Sequence, residues 1–438
     1  GPNLLPVLAD VVMRWRRHRY VFVADVEKMY RQIAVHPEDR NLQRILWREE
    51  NRLEDYTLNT VTYGLTCAPY LALRVLRQLA TDEEERFPRG AETLRRDVYM
   101  DDVLTGASTL ESCRHLREQV SSLCMAGGFP LKKWAANTED LLRDVPLECR
   151  LLPSADALLP AIDHAVLGLR WSPTTDEFAL TVRRSPGVPP TKRSILSQTA
   201  RLFDPLGWLA PIIVRAKLII QATWLQQLEW DAPLTAEEAR AWRTLEEELP
   251  LLEQIRVTRW FKTDAAEVSE LHGFSDASER AYAAVVYLRT VVDGQPNTSL
   301  VMAKTKVAPL KRVSLPRLEL CAAALLSKIA EQVRTTLDLE ASRVYLWTDS
   351  TVTLSWIRGH PARWTTFVAN RVAEIQRANP DARWQHVPGR DNPADCASRG
   401  VSPRELMEHP LWWRGPSFLA QDPAAWPTDP GLPERTEL

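Results

Sequence analysis

The amino-acid sequence predicts a multidomain α/β protein, an α+β domain followed by a separate α/β domain. Three observations predict this. At 438 residues the chain has room for two or three domains. Over the first 150 residues, short apolar runs of strand length alternate with helical stretches. From Leu271 to about Gly400 a fresh series runs strand, strand, strand, helix, strand, helix, with further helices after it. Hydrophobic residues at 45% and charged residues at 26% are ordinary globular values and allow sizeable buried cores.

Taken in order, Val21-Phe22-Val23-Ala24 reads as a buried strand ending at Asp25, and Leu71 to Leu79 keeps Leu and Val on a helical face. Residues 82–86 form a charged break. A proline-rich joint at Pro186, Pro189 and Pro190 lies within a mainly helical stretch from about 151 to 262. In the next unit strands are expected at 271–276, 281–288, 299–307, 344–349 and 382–388. Helices are expected near 316–336, 350–358 and 365–378, with a last short one beyond. The 38 residues after Gly400 include seven prolines and read as an extended tail. The boundaries are then 1–180, 181–267, 268–400 and 401–438. Residues 268–400 hold every strand and helix of their series, so that unit is expected to fold by itself.

A net charge of −2 excludes a uniformly basic nucleic-acid coat, so phosphate contacts must come from local patches. The six cysteines are scattered without a C-x-x-C pair, which suits reduced thiols inside a cell rather than a disulfide framework or a zinc site. No apolar run approaches the ~18 residues that span a bilayer; the longest, near Trp208–Val214, contains Pro211. The chain begins with Gly1-Pro2, without a signal peptide, and is expected to be a piece of something longer.

Two constellations carry chemistry. In the first, Tyr99-Met100-Asp101-Asp102 sits between apolar flanks and leads into Val103-Leu104-Thr105-Gly106. Adjacent aspartates at a strand–turn–strand junction repel each other unless cations occupy the site. With Asp25 from another strand, three carboxylates can bridge two divalent ions. Such ions hold the attacking hydroxyl and the leaving pyrophosphate of a nucleotidyl transfer. An isolated Asp-Asp pair more often shapes a surface turn; its surroundings decide.

Those surroundings resemble reverse transcriptase, specifically the BEL/Pao group of long-terminal-repeat retrotransposons. Asp25-Val26-Glu27-Lys28-Met29-Tyr30 matches the first palm motif of that family, which implies metal binding by Asp25 and a sugar gate at Tyr30. Tyr63-Gly64-Leu65-Thr66-Cys67-Ala68-Pro69 resembles the second motif, whose backbone packs against the nascent base pair; Tyr63 stands where retroviral enzymes often carry Gln. Tyr99-Met100-Asp101-Asp102 is the third and most specific motif. Gly128-Phe129-Pro130-Leu131-Lys132-Lys133-Trp134 resembles the fourth, where either Lys132 or Lys133 protonates departing pyrophosphate. Leu167-Gly168-Leu169-Arg170-Trp171 looks like the hairpin that grips the primer. Five motifs in order are specific where any one is weak.

In the second constellation, Asp276, Glu319, Asp349 and Asp395 fall on the first strand, the first helix, the fourth strand's end and the last short helix. Glu319 follows Pro316, which suits the first position of a helix. This is the ribonuclease H arrangement, in which four acids meet at one sheet edge and bind two Mg²⁺ ions. Thr348-Asp349-Ser350, Asn392-Pro393-Ala394-Asp395 and Arg317-Leu318-Glu319-Leu320 resemble retroelement ribonuclease H motifs. Retroviral relatives carry a mobile histidine before the last Asp; here the loop reads Val387-Pro388-Gly389-Arg390-Asp391, with Arg390 nearest that place and His386 in the preceding strand.

The resemblance implies a palm over 1–180, a helical thumb or connection over 181–267, a ribonuclease H-like domain over 268–400, and a tail towards an integrase. With 24 residues before Asp25, most of the fingers are expected to lie outside the chain. It further implies RNA-directed DNA polymerase and ribonuclease H activity, with two Mg²⁺ per site and Mn²⁺ as a substitute. The implied partners are an RNA template, a DNA primer, RNA–DNA hybrid and dNTPs, with no membrane. A cytoplasmic location, within a virus-like particle or free in the cell, is expected, with the nucleus as the alternative. The rivals are a remnant that binds nucleic acid without catalysis and a processing protease; no Asp-Thr-Gly or Asp-Ser-Gly signature supports the latter. The basic run Arg14–Arg19 is a candidate phosphate contact or a solvated helix end. Ile195, Leu196, Leu202 and Phe203 are expected in a core, and Trp412-Trp413 as a docking surface.

Overall fold

The computed structural model describes residues 2–50, 52–151, 164–166, 168–182, 187–340 and 342–429. Two compact units emerge: Gly1–Leu167 with Trp171–Glu177, and Gly168–Arg170 with Phe178–Leu438. Among the described residues no helix is long and apolar enough to cross a membrane.

The first unit comprises α1 (Leu8–Trp15), β1 (Tyr20–Val26), β2 (Arg44–Glu49), β3 (Arg52–Thr57), α2 (Ala68–Asp82), α3 (Pro88–Arg96), β4 (Val98–Tyr99), β5 (Asp102–Ala107), α4 (Leu110–Ala126) and β6 (Leu131–Ala136). β4, β5, β1 and β6 form an antiparallel sheet in that order. The apolar run predicted at 21–24 is buried in β1, and Phe22 and Val26 share one core with Leu76 of α2 and Leu116, Val120 and Leu123 of α4. Capping starts α4, where the Thr109 hydroxyl accepts from the Ser112 amide at 3.2 Å. The hairpin β2–β3, which no motif announced, is exposed along its whole length.

Half of the basic run turns inward. Arg16 is buried, and Arg14 donates to Asp97 at 2.8 Å. A phosphate contact through these two residues is thereby corrected: their charges serve the interior of the unit.

The chain then forms β7 (His164–Val166), β8 (Leu169–Ser172) and β9 (Glu177–Ala179). The second unit continues through α5 (Lys192–Ala200), α6 (Ala210–Leu225), α7 (Ala236–Glu248), β10 (Arg256–Thr258), β11 (Val268–Ala277), β12 (Ala281–Val292) and β13 (Gln295–Val307). It closes with α8 (Leu315–Thr336), β14 (Arg343–Thr348), α9 (Thr351–Arg358), α10 (Thr366–Ala378), β15 (Arg383–His386), α11 (Ala394–Arg399), α12 (Pro403–Met407) and α13 (Pro410–Arg414). The sheet order is β13-β12-β11-β14-β15, with β11 central, its pairing to β12 antiparallel and to β14 parallel. The central place of β11 leaves it buried from Glu270 to Ala277, polar residues included.

The helical stretch before this sheet is part of the same unit. Val214 and Leu218 of α6 share a core cluster with Ala281 and Val307, and Lys217 Nζ donates to the Thr305 carbonyl at 3.1 Å. The free edge of β13 is covered, because the Ala303 amide donates to the Leu206 carbonyl at 2.8 Å. Gly207 makes this approach possible: its φ is +75°, and an added Cβ would lie 1.8 Å from the Ala303 carbonyl oxygen. Of the four apolar residues expected in a core here, Ile195 and Leu202 are buried but Leu196 and Phe203 are exposed. Helical spacing alone did not separate the two faces.

Residues 401–429 are folded, not extended. Trp412 is fully buried and donates through Nε1 to the Trp208 carbonyl at 2.9 Å, 204 residues away. Trp413, half-buried, donates to the Leu406 carbonyl at 2.7 Å, so Trp412 is interior and Trp413 is held against the fold, unlike the docking surface expected of them. Trp426 lies 5.0 Å from both His272 and Tyr345, ring to ring, and Arg289 holds the Leu419 carbonyl at 2.7 Å. The prolines misled because Pro403 and Pro410 open short helices, where a missing N–H costs nothing.

Candidate active sites

Strand pairing places the first set of acids. Asp25 on β1 stands directly opposite Asp102 on β5, and the Val26 amide donates to the Asp101 carbonyl at 2.8 Å. Met100 takes a left-handed conformation, φ 58°, at the tight β4–β5 turn, with Tyr99 paired to Asp102. On β6 the two lysines point to different partners. Lys133 Nζ lies 3.0 Å from Asp25 Oδ2, whereas Lys132 Nζ lies 3.9 Å from Glu27 Oε2. Lys133 is therefore the one that meets the acids. Tyr30 and Tyr63 meet edge-on with ring centroids 5.0 Å apart, and Gly64 follows with open space around its Cα.

Burial, then the charges of Asp101 and Asp25, pushes the Asp102 carboxyl up to about 7. Asp101 is raised by its own partial burial and by Asp25. The hydrogen bond to Asp25 raises Lys133, so its ammonium is held charged beside the acids. Of the three residues expected to grip the primer, Gly168 and Leu169 lie at the start of β8, Leu169 buried, and Leu167 lies outside the described residues.

The second set converges more tightly. Asp276 is held near the end of β11, Glu319 on the first turns of α8 behind Pro316, and Asp349 immediately after β14. One carboxylate oxygen from each lies within 4.8 Å of the others, the cluster of this kind among the described residues. Asp25, Asp101, Asp102 and Asp395 lie outside it. Asp395, on α11, is paired with Arg399 one turn on. Glu319 is buried, and its Oε2 has no hydrogen-bond partner. Burial and the neighbouring Asp276 and Asp349 push Glu319 up to about 9; burial, opposed by a Ser398 hydrogen bond, takes Asp276 to about 6.

A divalent cation fits this cluster. Three oxygen donors from carboxylates are what a hard cation takes, and the orphaned Glu319 oxygen is a buried acceptor that nothing in the protein satisfies. Arg390 is exposed and, among the described residues, pairs with its neighbour Asp391, at 3.6 Å. His386 is on β15, its amide donating to Asp429 at 2.9 Å. Two residues were missed from sequence: Ser398, whose hydroxyl donates to Asp276, and Arg399. Their only signal is the three- and four-residue spacing from Asp395, which puts all three on adjacent turns of α11.

Residues 5–134 match the family model for reverse transcriptase (RNA-dependent DNA polymerase), and residues 191–350 match the Pao retrotransposon-like RNaseH-like domain. No match was found among curated proteins. Among solved structures, the foamy viral protease-reverse transcriptase in complex with RNA/DNA hybrid is similar with a TM-score of 0.51 at 14% identity, over 87% of this chain and 46% of that one. The foamy viral protease-reverse transcriptase dRH in complex with ds DNA gives 0.54 at 13% identity, over 88% and 60%. The chain thus spans about half of the length of these relatives. The fold is that of a reverse transcriptase palm joined to a ribonuclease H-like domain. More particularly, the two family models together support a BEL/Pao-type retrotransposon reverse transcriptase–ribonuclease H segment. The second match begins at 191, so the helices before the sheet belong to the same family module as the sheet.

Proposed function

We propose that the first unit synthesises DNA on an RNA template and the second cuts the RNA strand of RNA–DNA hybrids. Asp25, Asp101 and Asp102 serve the polymerase; Asp276, Glu319, Asp349 and Asp395 serve the nuclease. The partners are a primed RNA template, dNTPs and the hybrid product. The resident ions are divalent, two Mg²⁺ per site with Mn²⁺ as a substitute. Bound there, such ions lower the pKa of water or hydroxyl and neutralise charge developing on phosphate. The protein's own part is to orient. Asp276, Glu319 and Asp349 present oxygens from three separate elements, and Glu319 gives up a proton when it becomes a ligand. In the palm, Lys133 keeps an ammonium at the carboxylates, where it can deliver a proton to a leaving oxygen. Tyr30, backed by Tyr63, forms a wall against a 2′-hydroxyl.

The observation that carries this reading is the three-acid cluster around an unsatisfied, buried Glu319 oxygen. The test is a Mg²⁺ titration of RNA–DNA hybrid cleavage by the full chain and by Asp349→Asn. The substitution keeps the shape and removes one ligand charge, so the rate should fall by orders of magnitude with hybrid binding retained. Equal cutting by both proteins would sink the assignment.

A further inference from the structure

Beside the acids, the short helix α11 is fastened to the sheet in three places. Asn392 Nδ2 donates to the Ser275 carbonyl at 3.0 Å, Thr305 Oγ1 to the Ala397 carbonyl at 2.8 Å, and Ser278 Oγ to the Ser398 carbonyl at 3.0 Å. Two of the acceptors are main-chain carbonyls of α11 itself, and the third bond ties Asn392, two residues before the helix, to the main chain of β11, so none of the three holds an acid. Asn392, Ala397 and Ser398 are fully buried. The one side chain that α11 sends to a ligand on the central strand is Ser398, whose hydroxyl donates to Asp276 Oδ2.

We propose that Ser398 is a positioning residue for the divalent-ion site: it ties one oxygen of Asp276 and so fixes how that carboxylate faces Glu319 and Asp349. The inference rests on the proposed nuclease reading of the cluster. Its physical basis is that a carboxylate free to rotate presents a ligand oxygen only part of the time. A hydroxyl held by a pinned helix removes that freedom before an ion arrives. Among the described residues no salt bridge reaches Asp276: Arg399 is paired with Asp395 and acts on Asp276 only through its charge. Groups that orient a ligand in this way typically change metal affinity by about 10–100-fold when removed.

The experiment is calorimetric titration of the full chain with Mn²⁺ and with Mg²⁺, in an Asp102→Asn background that weakens metal binding by the palm. Melting temperatures are measured without metal in parallel. Ser398→Ala should bind about 10–100-fold more weakly, and Ser398→Thr, which keeps the hydroxyl, should restore the affinity. If Ser398→Ala does not fold, Ser398→Cys keeps the volume and offers only a weak donor, and should show the same loss. Unchanged affinity with a lowered melting temperature would make Ser398 purely structural and overturn the proposal. So would equal losses in the alanine and threonine variants. A parent protein that binds no ion at the cluster would overturn the nuclease reading itself, a result distinct from a neutral Ser398.

Discussion

Glu319 holds its proton near neutrality because burial and two neighbouring carboxylates raise it to about 9. A cation can bind only after that proton leaves, so metal binding should release protons at pH 7 and tighten as pH rises towards 9. The sign for stability is the reverse. The unfolded carboxyl has its ordinary value of 4.5, so above it the native state binds more protons than the unfolded one. Metal-free stability from this group is full below pH 4.5, and is lost progressively up to pH 9. Thermal melts of the metal-free chain across that window should show a decline that added Mg²⁺ reverses; Glu319→Gln should flatten it. In the palm, Lys133→Met should slow primer extension by about 10²-fold or more, as expected for loss of a general acid, and Lys132→Met much less. Equal effects would return the choice to where the sequence alone leaves it. The three clustered acids, Asp276, Glu319 and Asp349, were legible because each sits in a short motif. Ser398 was not, since a serine three residues past an aspartate has no signature until a strand is placed beside it.

Among the elements, the Leu206–Ala303 bond is the most sensitive point. Gly207→Ala would need a positive φ and would drive a Cβ into the Ala303 carbonyl, a backbone atom that cannot step aside. A loss on the order of 3–5 kcal/mol in chemical denaturation is expected; a loss below about 1 kcal/mol would mean that the edge can open cheaply. The strands of the second unit were legible because β12 and β14 carry apolar runs set off from their neighbours by clear breaks. The fate of residues 401–429 was not, because Pro403 and Pro410 look alike in an extended tail and at the start of a helix. Only burial of Trp412 and Trp426 tells the two apart. The hairpin β2–β3 was likewise silent: with every residue exposed, it has no buried face to impose a pattern.

For the whole molecule, these contacts redraw the smallest nuclease unit. A fragment of residues 268–400 keeps all five strands yet loses Trp412, Phe418 and Trp426, each buried. Removing one such aromatic costs about 3–5 kcal/mol, and a domain has roughly 5–15 kcal/mol to lose. That fragment should therefore fail to give a cooperative melt, while residues 178–429 should give one. A cooperative transition for 268–400 would show that the flanking segments are ornaments. The expectation of an independent 268–400 unit rested on strand content, which was legible, and not on the covering of the sheet, which was not.

The carbonyl of Trp208 meets its partner only once residue 412 has been made, 204 residues later. At about 5–20 residues per second, the ribosome takes roughly 10–40 s to supply it. During that interval the nascent chain carries an apolar α6 and then a growing set of strands, complete only at His386, with part of its cover still unsynthesised. Such a chain has to be shielded by chaperones or lose material to aggregation. Its acquisition of a protected state is thereby timed to the last segment rather than to the catalytic one. Stalled ribosomes should report this: protease resistance should be absent when the chain has emerged only as far as His386, and appear once residues 412–429 are clear of the exit tunnel.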